Sequence, residues 1–171
     1  MPARELLTIA RGRIHVEIDP ERGGRLAQIM VDDVPRLVGR EVADDPMRWG
    51  AYPMVPWAGR IRDGRFRFDG IEYQLPRNFA EHAIHGVGFV SSWAVTEVTT
   101  TQVRLVLELP TDDRWPFGGE VHQTYAVDDA GLTCAMSLVA TSTAMPYSMG
   151  WHPWFRKPTR LEFHPTAMYR R

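Results

Sequence analysis

Arg65-Phe66-Arg67-Phe68-Asp69-Gly70-Ile71-Glu72-Tyr73-Gln74-Leu75 reads as two short strands around a two-residue turn. Phenylalanines alternate with arginines before the turn, and Ile71, Tyr73 and Leu75 alternate with Glu72 and Gln74 after it. A period of two is what a strand with one buried face requires. Asp-Gly tolerates the positive φ angles of a type I′ turn, whose twist matches the flanking strands. The same alternation recurs downstream. Val103, Leu105, Leu107 and Leu109 alternate with Arg104, Val106 and Glu108. Leu132, Cys134, Met136, Leu138 and Ala140 form another run, separated from residues 121–127 by Asp128-Asp129-Ala130-Gly131. Further strands are expected at 6–10, 13–18, 25–31, 92–98 and 161–163. Helical periodicity is lacking, and many short strands with frequent turns argue for an all-β, antiparallel β-sandwich or barrel. The proline- and aromatic-rich stretch 46–56 reads as a long ordered loop.

With 171 residues, one domain spanning 1–171 is expected, without repeat or linker. The chain is 44% hydrophobic and 24% charged, with a formal net charge of −1. This balance, with basic residues scattered, gives no pull toward nucleic acid or anionic membrane. The single cysteine, Cys134, excludes an internal disulfide and a cysteine-based zinc site, and its apolar neighbours mark a structural thiol. Met1-Pro2-Ala3-Arg4-Glu5 lacks an apolar signal core, and no stretch approaches the roughly 18 apolar residues of a membrane span. A cytoplasmic location is the expectation.

Two histidines sit between glycines and aromatics where strand patterns break: His85 in Ala83-Ile84-His85-Gly86-Val87-Gly88-Phe89, and His152 in Gly150-Trp151-His152-Pro153-Trp154-Phe155. Imidazole titrates near neutrality and suits general acid–base work. The competing reading of His152 is a core histidine bonded to a carbonyl. His82 and His85 form His-x-x-His beside Glu81, but on a strand that spacing points to opposite faces, so no metal is expected and His82 reads as a surface residue. His122 reads as structural, His15 and His164 as solvated. Arg60, with five donors, suits vicinal hydroxyls, and Asn78 offers both donors and an acceptor; an exposed arginine and an ordinary loop asparagine are the competing readings. Six tryptophans suit sugar stacking and core packing equally. Neither a phosphate-cradling glycine loop nor a Gly-x-Ser-x-Gly elbow is present.

In their order, Gly23-Gly24-Arg25-Leu26, Pro56-Trp57-Ala58-Gly59-Arg60-Ile61-Arg62-Asp63-Gly64-Arg65-Phe66, Asp69-Gly70 through Asn78, His85-Gly86 and Gly150 through Phe155 resemble the aldose 1-epimerase (galactose mutarotase-like) family. The resemblance implies an antiparallel β-sandwich whose concave face binds a hexose, and acid–base mutarotation without metal or organic cofactor. It implies His152 as general acid, His85 as a second active-site histidine and Arg60 as a substrate-binding arginine. Asn78 falls on a sugar-facing loop, and Trp151 is an aromatic candidate for the sugar's apolar flank. Gly59 departs from the asparagine often found in the family.

The family's general-base glutamate and a sugar-binding aspartate follow the Gly-x-His-Pro segment at a distance that exceeds residue 171. The expectation is therefore an N-terminal portion, with a sandwich incomplete at its C-terminal side. Glu81, Glu120 and Glu162 are at hand, but none stands in the family's base motif. A non-catalytic carbohydrate-binding module on the same fold is the alternative. A hexose-phosphate epimerase is a third reading. It requires a basic cluster around the pocket, and of Arg60, Arg62, Arg65 and Arg67 the last two alternate with phenylalanines like a solvated strand face.

Overall fold

The computed structural model describes residues 6–141, 143–157, 160, 162, 164, 166 and 167. In chain order the strands are β1 (Leu7–Arg11), β2 (Ile14–Asp19), β3 (Arg25–Val31), β4 (Val34–Pro35), β5 (Ala51–Met54), β6 (Arg60–Ile61) and β7 (Arg65–Phe68). They continue with β8 (Ile71–Gln74), β9 (Ala83–Ile84), β10 (Ala94–Val98), β11 (Gln102–Glu108), β12 (Glu120–Val127), β13 (Leu132–Val139) and β14 (Gly150–Pro153). One sheet runs β1-β2-β3-β5-β14 with β4 beside β3, and a second runs β10-β11-β12-β13. Two small antiparallel pairs, β6-β9 and β7-β8, stand beside them.

The alternation in sequence becomes the alternation in burial. Val103, Leu105, Val121, Gln123 and Tyr125 of the second sheet are buried, as are Ile9, Val16, Ile18 and Leu26 of the first. All but Gln123 belong to one apolar core, which makes the two sheets the layers of a sandwich. Gln123 Nε2 and Tyr125 OH both donate to the Gly24 carbonyl, at 2.6 and 2.8 Å, so buried polar groups of the second sheet are satisfied by the turn that leads into β3. β7 and β8 pair as expected, Phe66 opposite Tyr73 and Phe68 opposite Ile71. Asp69 and Gly70 have φ of 49° and 77°, both positive as a type I′ turn demands. Phe66, Tyr73, Trp115 and Phe117 pack together beneath this hairpin, with ring centroids 4.8–6.3 Å apart. Trp49, Trp57, Trp93 and Trp115 are buried, so most of the tryptophans serve packing.

One expectation is corrected. The stretch 46–56 is not loop throughout, because β5 forms within it and stands between β3 and β14. Its strand character comes from tertiary pairing rather than from pattern. β3 meets it only at Leu26↔Ala51, so Pro53, without an N–H, breaks no ladder bond on that side. The strand expected at 161–163 turns on Leu161 and Phe163, which lie outside the described residues.

Candidate functional site

β5 and β14 pair with His152 opposite Tyr52. The two rings stack at 4.9 Å with planes 9° apart, and the Trp154 ring lies 5.6 Å from the imidazole at 25°. His152 Nδ1 is buried and makes no hydrogen bond of normal geometry. Burial lowers the His152 pKa from its ordinary value. Strand alternation turns the neighbouring Trp151 the other way, where its indole N–H donates to Gln123 Oε1 at 3.1 Å.

His85 is held differently. β6 and β9 pair through Arg60↔Ile84 and Ile61↔Ala83, and the chain then turns through His85 and Gly86 with φ of 61° and 71°. The His85 backbone N–H donates to Gly59 O at 3.1 Å, and the Gly59 N–H donates back to His85 Nδ1 at 3.2 Å. With Nδ1 accepting, the neutral ring carries its proton on Nε2. Burial, aided by His152 and by the Arg60 charge, pushes the His85 pKa down to about 4. Gly86 is required by close approach: a Cβ there would lie 2.0 Å from Val55 O. The N–H groups of Val87 and Gly88 both donate to that same carbonyl.

The two histidine rings stand 5.3 Å apart, edge to face, in a cleft of about 1220 Å³ that Tyr52, Trp154, Arg60 and Asp45 also line. Three of the five expected site residues, His152, His85 and Arg60, therefore converge. Asn78 and Trp151 are not among the residues lining the cleft. Asn78 accepts from Ile84 N–H at 2.7 Å and donates to Ile84 O at 3.1 Å, splinting the His85 segment from behind. His82 belongs to the cleft wall rather than the open surface. Its Nδ1 accepts from Asp63 N–H at 3.2 Å and its Nε2 lies 3.3 Å from Glu81.

Asp45, Arg48 and Arg62 line the cleft without a pattern in sequence that marks them. Asp45 arrives there because Arg25, fully buried, donates to the carbonyls of Pro46 (2.8 Å), Trp49 (3.1 Å) and Phe89 (2.8 Å) and lies 4.2 Å from the Trp49 ring. Burial lowers the Arg25 pKa to about 10. Asp45 is the one carboxylate among the described residues lining the cleft; it accepts from Met47 N–H at 2.9 Å and stands 3.3 Å from Arg48. Glu81 pairs with His82, Glu120 with His122 (2.7 Å) and Glu162 with Arg160 (2.7 Å); none of the three lines the cleft. Burial pushes the Cys134 thiol up to about 11, which suppresses the thiolate that nucleophilic chemistry needs. Among the described residues no group of three or more His, Cys, Asp or Glu is placed to hold a metal, and no helix is long and apolar enough to cross a membrane.

The aldose 1-epimerase family model matches residues 5–165. The chain belongs to the aldose 1-epimerase family. This family member is 30% identical over 156 residues to the uncharacterized protein YihR of Escherichia coli K12, covering 88% of the present chain and 50% of YihR. A crystal structure of a provisionally assigned aldose 1-epimerase from the same organism superposes with a TM-score of 0.79 at 25% identity, covering 88% of this chain and 52% of that one. A GalM/aldose epimerase homologue from C. elegans shares the fold, with a TM-score of 0.78, 19% identity, and coverage of 90% of this chain and 51% of its own. The epimerase-family chain thus spans about half the length of the curated relatives it matches.

Proposed function

We propose that the cleft binds a hexose and that the chain works as an aldose 1-epimerase-type isomerase, with His152 as general acid. The observation that carries this reading is the convergence of His85 and His152, rings 5.3 Å apart, on one cleft beside Arg60. In the proposed reaction a carboxylate base takes the anomeric hydroxyl proton. The O–H electron pair becomes the C1 carbonyl, the C1–ring-oxygen bond breaks, and the ring oxygen takes a proton from His152. Rotation about C1–C2 and the reverse sequence give the other anomer. The steps are proton transfers between held groups, and positioning supplies much of the rate. His85, its Nδ1 occupied by Gly59, presents an Nε2–H suited to a sugar oxygen. Arg60 provides further donors. Asn78 and Trp151 support the site from behind through Ile84 and Gln123. Asp45 is the carboxylate that the described residues offer as base. The cytoplasm is the proposed location, on the sequence grounds given above.

Optical-rotation decay of fresh α-D-glucose and α-D-galactose tests the reading. The wild-type chain is expected to accelerate it, and His152→Ala to lose roughly 100-fold or more of the acceleration. Equal rates for both would remove His152 from the role. Asp45 is already engaged by Arg48 and the Met47 N–H, and this favours a second reading, a carbohydrate-binding module without turnover. Saturable sugar binding with no acceleration of anomer exchange would select it.

A further inference from the structure

We infer that Arg25 is a positioning residue of the histidine cleft: its buried guanidinium ties the strand paired with His152 to the segment that carries His85, and so sets the spacing of the two rings. The inference rests on the sugar-site reading above, and it gives a task to Gly23-Gly24-Arg25-Leu26, which the proposed reaction leaves unused. Arg25 opens β3, is fully buried and is not among the residues lining the cleft. Its part is therefore to act through its neighbours.

Removing a charge from water is costly, and an apolar side chain of similar volume fills a core at least as well. Asp19, whose charge favours the cation, is itself engaged by Arg22 at 2.9 Å. Arg25 is held by backbone instead. Nε donates to Arg22 O at 2.5 Å, Nη1 to Pro46 O at 2.8 Å and Trp49 O at 3.1 Å, and Nη2 to Phe89 O at 2.8 Å. One fork thus grips the approach to β5 and the chain just beyond His85 together. A lysine, with its donors at one point, lacks that spread.

Both gripped segments lead to a histidine. Trp49 precedes Tyr52, whose ring stacks on His152, and Phe89 follows His85-Gly86-Val87-Gly88. The Tyr52 ring joins the two: its centroid lies 5.4 Å from the Arg25 guanidinium, 5.5 Å from the Phe89 ring and 6.0 Å from the His85 ring. Gly50 O accepts from the Trp154 N–H at 2.8 Å, which extends the grip to the other ring beside His152. Two glycines make the reach possible. A Cβ on Gly23 would lie 2.2 Å from Phe89 O, and one on Gly50 would lie 2.5 Å from Leu26 O.

Diethyl pyrocarbonate, which acylates unprotonated imidazole, tests this on the whole chain and on Arg25→Lys and Arg25→Met, with each histidine read separately by peptide mass spectrometry. In mildly alkaline solution His85 and His152 are expected to react roughly threefold or more faster in both variants, while the exposed His15 and His122 keep their rates. Burial lowers the His152 pKa, so the pH profile of its acylation should move upward as its enclosure loosens. Arg25→Lys keeps the charge and serves where Arg25→Met does not fold. A lowered urea midpoint with unchanged rates and pH profile at both histidines makes Arg25 a structural residue and overturns the inference. The sugar site is judged apart, on the wild type, where D-galactose or D-glucose should protect His85 and His152 but not His15. Absence of protection by either sugar overturns that reading, whatever the variants do.

Discussion

The segment that carries His85 and the strand that carries His152 face each other across one cleft, yet they are held by unlike means. His85 stands in a left-handed turn, clasped at both its N–H and its Nδ1 by the backbone of Gly59, with Asn78 and Val55 pinning the residues on either side. His152 stands in a regular strand, placed by its register opposite Tyr52 and by aromatic faces, with Nδ1 unbonded. Hydrogen-bonded turns fix direction and tautomer but demand particular backbone geometry. Strand pairing tolerates more variation and leaves the tautomer of the imidazole unfixed by a hydrogen bond at Nδ1. The two histidines of one cleft are thus fixed differently, one by hydrogen bonds to backbone and one by strand register and ring contacts.

The strongest break in this comparison is expected from Gly86→Ala. A Cβ 2.0 Å from the Val55 carbonyl, in a left-handed conformation, should destabilise by about 3 kcal/mol or more, read from urea unfolding. Acid comes next. His85 folds with a pKa of about 4 against an ordinary 6.5, so the unfolded chain binds the proton first. Its contribution is complete above pH 6.5 and is lost as pH falls toward 4, by up to about 3 kcal/mol. Burial of His152 acts in the same direction. Urea midpoints at pH 7 and pH 5 should differ less in His85→Gln than in the wild type; identical differences would refute the assignment. Asn78→Ala removes two hydrogen bonds from the Ile84 backbone and should cost about 1–2 kcal/mol, read as a lowered melting temperature. The smallest effect sharpens the contrast from the strand side. In Gly150→Ala the new methyl meets only the movable end of Met54, at 3.3 Å, and less than about 1 kcal/mol should change.

The sandwich was legible in the alternation of β7, β8, β11, β12 and β13, because one face of each strand must be apolar to close the core. Asp69-Gly70 announced its turn for the same local reason. β5 escaped because its strand character lies in its partners, not in Ala51-Tyr52-Pro53-Met54 itself. His85 and His152 stood out through their glycine and aromatic neighbours, of which Trp154 lines the cleft beside them and Gly86 permits the close approach to Val55. Asp45, Arg48 and Tyr52 were not, since their placement depends on the buried Arg25 drawing in the carbonyls of Pro46 and Trp49 and on a strand pairing without a pattern of its own. Asn78 and Trp151 were read for their chemistry alone. Pairing with the Ile84 backbone and the alternation of β14 turned that chemistry away from the cleft.

The nearly parallel stack of Tyr52 on His152 also makes the site visible to magnetic resonance. The imidazole lies within range of the phenol ring's circulating π electrons, so its proton signals should be displaced from those of a solvated histidine such as His15. A ligand that enters the cleft and shifts either ring by a fraction of an ångström changes that displacement. Occupancy of the cleft can therefore be followed on His152 itself, in a sample where no turnover takes place.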